Sequence, residues 1–498
     1  MKGDFTRDTY DPTKHFSRVL MQQGRVTLDA DHNEQTAILL HNLRTLARDL
    51  IGPYAAPSAD AGFLLQFDPT IGDLIIGAGR YYVDGILVEN DEDTPYMQQP
   101  DCPLPSDDAL AAEVKDLTGN VFWAYLDVWE RHITSIEDDE IREKALNGPD
   151  TCTRAKVVWQ VRALPSSKLP EPKITPSGVN PVTCAAPLGS LTAVSEALLA
   201  ARVDPGQKTS SACITPPDSQ YRGNENQLYR VEIHDPGAAG TATFKWSRDN
   251  GSVAAAWLGT SGNDLQVLHG RGFAAGNWVE LSDDTQELQG LPGVLVKLTK
   301  VQGDTLSVDP ASVKPANALA WSGQLVNPKV RRWDQTGNED TQLVNGAVPI
   351  QEKTSTAHHW IDLEDGLQIE FSPNGQYRTG DYWLIPARVA TGSIEWPPLT
   401  DSSGASMTDS NGNVIPDPLP PDGVEHHYAP LGFLTLKGKA LQLASCRCTF
   451  DPASACFSGG SLPVGAHLIR PMNFDAELLS EEAVEDAEAA HIVKKRKK

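Results

Sequence analysis

The stretch Leu228–Leu258 constrains the fold more than any other part of this chain. Tyr229, Val231 and Ile233 alternate with Arg230, Glu232 and His234, the period-2 pattern of a half-buried strand. Asp235-Pro236-Gly237 ends that run. Ala242, Phe244 and Trp246 then alternate with Thr243, Lys245 and Ser247, and Asn250-Gly251 follows. Both residues of an Asn-Gly pair tolerate the positive φ of a type I′ turn, which makes it a strong hairpin signal. Val253, Ala255 and Trp257 resume the alternation. The three runs predict a β-meander with one large apolar face.

Most of the chain repeats this grammar. Gly79–Asn90 reads as a hairpin turning at Asp84-Gly85, and Gly303-Asp304 marks another turn. Both faces of Phe122–Trp129 are largely apolar, so that strand is expected in the middle of a sheet. Forty Gly and 36 Pro suit a turn-rich chain. The fold class expected is mainly β: several antiparallel, sandwich-like sheets with an N-terminal helical head and long loops.

The head is the one strongly helical pattern in the N-terminal half. Leu39, Leu43, Leu46 and Leu50 are spaced four, three and four apart, forming one apolar stripe. Asp31 or Asn33 is the expected cap, and Gly52-Pro53 the stop. Such a stripe must be covered, either by the first β segment or by another subunit. A charged, exposed arm precedes it, so the four leucines are read as docking residues. The organisation expected is arm and helix over 1–60, a first β domain over 61–164, and a Pro/Ser-rich insertion over 165–226. A central β region follows over 227–396, then a loop and closing strand over 397–456, and an acidic-then-basic tail over 457–498.

Three separated stretches resemble an uncharacterised family encoded in gene clusters of phage-tail-like extracellular contractile injection systems. They are residues 2–35 (KGDFTRDTYDPTKHFSRVLMQQGRVTLDADHNEQ), residues 221–257 with the core TFKWSRDNGSV, and residues 380–397 with GDYWLIPAR. The resemblance implies a structural or assembly component of a contractile particle, at the baseplate, cap or fibre attachment. Its implied partners are other subunits, with a homo-oligomer within the particle. A surface-polysaccharide-binding or -degrading β protein is the alternative.

The net charge of −24 argues against a nucleic-acid partner. No run approaches the roughly 18 apolar residues of a membrane span, and the opening residues lack a signal-peptide core. Cytoplasmic synthesis is expected, with assembly into a particle that is released extracellularly.

Motifs for catalysis do not emerge. There is no Gly-x-Ser-x-Gly elbow, no Gly-rich loop ending in Gly-Lys-Ser/Thr and no His-Glu-x-x-His. No enzyme activity and no cofactor are expected. The metal candidates are scattered. Asp29 and Asp31 open like a calcium loop, but Glu34 and Leu40 occupy its sixth and twelfth positions, so both acids read as caps. His358 and His426 each head a His-His pair and would need a third ligand to hold zinc. Cys446, Cys448 and Cys456 form a loose cluster, read as reduced, partly buried thiols. The acidic run Glu137–Glu143 reads as a solvated connection.

Overall fold

The structure is a computed structural model describing residues 1–101, 104–169, 181–191, 195–206, 220–337, 342–355, 357–438 and 440–451. It is mainly β, with antiparallel sheets grouped around three large apolar cores.

The first core is built around Thr118–Ile133, which pairs with Arg154–Pro165 on one edge and His426–Lys437 on the other. Residues 122–129 are all buried, as expected for a central strand with two apolar faces. The hairpin Gly79–Val83/Ile86–Asn90 packs into the same core through Tyr81, Val83 and Val88. Its turn residues Asp84 (φ 49°) and Gly85 (φ 82°) both take the positive φ that a type I′ turn requires. The closing strand thus completes a sheet begun some 300 residues earlier.

In the second core, Gln227–Ile233 lies between Thr243–Ser247 and Tyr382–Arg388. A three-stranded sheet, Ile361–Asp362, Leu367–Phe371 and Leu199–Val203, shares that core. Leu199–Val203, inside the expected 165–226 insertion, is therefore a paired strand. The third core fills a closed six-stranded barrel. Its strands are Ala254–Ser261, Asp264–Val267, Thr305–Val308, Val294–Gln302, Trp278–Ser282 and Lys329–Trp333.

The meander is only partly realised. Asn250 (φ 52°) and Gly251 (φ 62°) form the expected tight turn, closed by the Ser252 N–H donating to the Asp249 carbonyl at 3.0 Å. The strands either side of it do not pair. Thr243–Ser247 takes Val348–Pro349 as its second neighbour, while Ala254–Ser261 enters the barrel beside Lys329–Trp333. A turn signal specifies a local reversal, whereas the pairing partner is set by where the apolar face is buried. For Ala255 and Trp257 that place is the barrel interior.

Residues 398–416, expected as plain loop, carry a repeated cap. Asp401 accepts from the N–H groups of Ser403 and Ala405, and Asp409 from those of Asn411 and Asn413. The two turns match residue for residue, Thr-Asp-Ser-x-Gly, at 400–404 and 408–412.

The helix, α1 (Asp29–Ile51), is longer than expected at its start. Leu28 is the cap residue, and Asp31 sits in the first turn, its carboxylate accepting from the Leu28 N–H at 3.1 Å. Gly52 ends it as expected, its N–H donating to the Arg48 carbonyl.

Candidate functional site

The alternation in Leu228–Leu258 predicts one wet face, and the structure buries it. Arg230 and Glu232 on one strand, His234 just past its end and Lys245 on the next strand are all under 7 % exposed. Their charged side faces the barrel wall rather than solvent. Lys245 Nζ lies 2.5 Å from Glu280 Oε1 and 3.3 Å from Glu232 Oε1, beneath the Trp333 ring. The Trp333 indole N–H donates to the other Glu280 oxygen at 2.9 Å. Arg230 Nε donates to Glu232 at 2.6 Å. Burial pushes the Glu232 carboxyl up, but Lys2, Arg230 and Lys245 together hold it well below the usual carboxylate range. Buried charges persist only when paired in this way.

The opening residues of the chain complete this ionic seam. Lys2 Nζ reaches Glu232 Oε1 at 3.0 Å. The Asn250 amide, at the tip of the tight turn, donates to the carbonyls of Met1 and Gly3. Phe5 meets the His132 ring edge-on at 5.9 Å. Arg7 pairs with Glu395 at 2.6 Å. The arm expected to be exposed is therefore anchored to the body over its first seven residues, with Gly3 buried and Lys2 reaching into the seam.

A second, partly buried cluster lies at the barrel. Glu137, Asp284 and Glu287 bring three carboxylate oxygens within 4.8 Å of one another, a spacing suited to a divalent ion. Lys329 already fills that position, with Nζ 2.5, 3.0 and 3.1 Å from the three acids. Arg131 adds a contact to Asp284 at 2.6 Å. Burial lowers the lysine's proton affinity, but the three acids more than reverse this and raise it. The internal ammonium does a metal ion's electrostatic work. Glu137, at the head of the expected solvated acidic run, is half-buried with its side chain turned onto Lys329; Asp138, Asp139 and Glu140 are exposed.

The arm continues along α1. Asp29 accepts from the N–H and hydroxyl of Thr6, Glu34 accepts from the Thr9 hydroxyl, and the Val19 N–H donates to Gln35. A cavity of about 190 Å³ lies between arm and helix, with Tyr10, Phe16, Ile38 and His41 among its lining. On the body side, Arg44 pairs with Glu130 at 2.8 Å. The helix backbone comes so close to the Asp84-Gly85 turn that a Cβ on Gly85 would collide with the Arg44 carbonyl. These contacts use the side of α1 that buries Ala30 and Ile38. The leucine stripe points away from them. Leu39, Leu43, Leu46 and Leu50 are 58, 62, 56 and 77 % exposed, and Leu40 lies exposed beside them. No part of the described chain covers the stripe.

The metal candidates are not brought together. His358 faces Glu370 at 3.0 Å, and His426 faces Asp127 at 2.7 Å in a different sheet. Asp29 and Asp31 act within the arm and first helical turn. Cys446, read as a reduced thiol, instead forms a disulfide with Cys184, 262 positions away. Spacing could not reveal that partner, because it comes from the distant 165–226 segment. Cys448 is free and exposed, and Cys456 and the 457–498 tail lie outside the described residues.

The model of a family described as "Family of unknown function (DUF6519)" matches residues 1–171 and 186–462. The chain belongs to the DUF6519 family. No curated protein and no solved structure matches it. The span matched to DUF6519 takes in the arm, α1, both ionic clusters and all three cores. Sequence reasoning missed the clusters because each strand's charged residues look like an ordinary wet face until the opposing face is known. The only sequence signal was that several strands carried charges at every second position.

Proposed function

We propose that this member of DUF6519 is a structural assembly component that docks through the exposed leucine face of α1. The observation that carries the reading is that face: four leucines at 4-3-4 spacing, more than half exposed, on a helix fixed to the body along its other side. Contiguous exposed apolar surface of this kind marks an interaction site. The arm adds Phe16, Leu20, Met21 and Val26, all exposed. The carboxylates and cations of the two ionic clusters are spent on one another, which fits a scaffold better than a reaction centre.

The assembly we have in mind is a phage-tail-like contractile particle, formed in the cytoplasm and released. That choice rests on the resemblance of residues 2–35, 221–257 and 380–397 to proteins encoded with such systems. The test is co-production of the chain with the sheath and tube proteins of such a particle, followed by sedimentation and electron microscopy of the particles. The wild-type chain is expected in the particle fraction and Leu43→Asp in the supernatant. A Leu43→Asp chain that sediments with the particles at the wild-type level overturns the reading.

A further inference from the structure

Four basic side chains are less than 7 % exposed: Arg230, Lys245, Lys329 and Arg331. The first three each hold a carboxylate. Among the described residues Arg331 holds none; its one hydrogen bond runs from Nη1 to the Gly251 carbonyl. A buried charge without a partner is strongly unfavourable.

The neighbouring acids are already used. Arg331 stands opposite Glu280 on one adjoining barrel strand and Ala254 on the other. One Glu280 oxygen accepts from Lys245 and the Gly293 N–H, and the other from the Trp333 indole. Glu287 is divided between Lys329 and the Ser282 hydroxyl. Glu232 is divided among Lys2, Lys245 and Arg230. Counting Arg331, the two ionic clusters hold six cations (with Lys2, Arg131, Arg230, Lys245 and Lys329) against five acids, Glu137, Glu232, Glu280, Asp284 and Glu287. One positive charge is left over. Its field is felt nearby: burial first, then the chain's first amino group and Arg331, hold His132 down to about 4.

The unused edge of Arg331 has a definite shape. With Nη1 on Gly251, Nε and Nη2 remain, and neither has a partner among the described residues. Their N–H bonds point the same way, a fork that matches the two oxygens of a carboxylate. Gly251 and Ala254, both against Arg331, put at most one side-chain carbon beside it. A side chain only 6 % exposed admits no bulky anion.

We infer that the Nε/Nη2 edge of Arg331 binds a small carboxylate, of formate or acetate size. The probe is sodium formate at pH 7, replacing sodium chloride mole for mole so that ionic strength stays constant. The full-length chain is expected to gain melting temperature as formate rises, because an ion that binds only the folded state stabilises it. It is also expected to broaden the formate proton resonance. Arg331→Lys keeps the charge and removes the fork, so both responses should fall at least tenfold. Arg331→Met should lose them as well; should it fail to fold, the comparison with Arg331→Lys still decides. A wild-type melting temperature that does not move when formate replaces chloride overturns the inference. Equal responses from the wild type and Arg331→Lys also overturn it, since they would mean that charge alone attracts the ion.

Discussion

Lys329 and Glu137 stand 192 positions apart in the chain and meet at 2.5 Å, Nζ to Oε1, with the lysine side chain 1 % exposed. The contact ties the barrel to the connection that leaves the long Thr118–Ile133 strand. Asp284 and Glu287 close the other sides of the ammonium.

Lys329→Met should be among the most damaging single substitutions. It leaves three neighbouring carboxylates without their shared cation, and removing one partner of a buried ionic group costs about 3–5 kcal/mol. The vacated position would then match a divalent site. Calcium is expected to raise the melting temperature of Lys329→Met and to leave that of the wild type unmoved. A wild-type chain stabilised by calcium to the same degree would falsify the view that the lysine replaces an ion.

Stability should fall on the acid side of pH 6.5. His132 is held down to about 4, first by burial and then by the positive charges of the chain's first amino group and Arg331. His234 is also held down to about 4, by burial and then by Lys245. Between pH 6.5 and 4 the unfolded histidines take up protons and the folded ones do not. The stabilisation is therefore complete above pH 6.5 and is lost progressively down to about pH 4, on the order of 3 kcal/mol for each group. Glu232 and Glu287, whose proton affinities are depressed, lose stabilisation in the same direction at lower pH. Among the described residues the His132 Nε2 has no hydrogen-bond partner. His132→Phe should keep the contact with Phe5 and flatten the pH 4–6.5 slope of a urea-unfolding series. An unchanged slope would show that His132 does not titrate with folding.

Legibility in the sequence followed the range of the interaction. The Asp84-Gly85 and Asn250-Gly251 turns were readable because positive φ is a property of the two residues themselves. The buried strand at 122–129 was readable because both of its faces are apolar. The partner of Ala254–Ser261 was not, since the turn before it says nothing about which sheet buries Trp257. Lys245 looks like a solvent-facing lysine until Glu280, 35 positions on, is placed opposite it. The leucine stripe was legible as a stripe, but whether the chain itself covered it depended on how the helix sat against the Asp84-Gly85 turn.

The anchored arm changes what truncation should do. An exposed arm would be removable without loss of the β body, yet Lys2 reaches a buried Glu232 and Asn250 donates to the carbonyls of Met1 and Gly3. The two ends of the Lys2–Glu232 pair are not equivalent. Glu232 keeps Arg230 at 2.6 Å and Lys245 at 3.3 Å when Lys2 is removed, so its charge stays compensated. Lys2 is also partly exposed and can be replaced by water. Lys2→Met is therefore expected to cost about 1 kcal/mol, the scale of a part-exposed ion pair. Glu232→Gln leaves Lys2, Arg230 and Lys245 converging with Glu280 as the nearest remaining acid, and should cost about 3 kcal/mol or more. In the double variant, part of the glutamate's cost should be recovered, because one of the three crowded cations is gone. Chemical denaturation of the two single variants and the double variant gives the coupling directly. Equal losses from the two single substitutions, with simple additivity in the double, would mean that the arm rests on the seam without belonging to it.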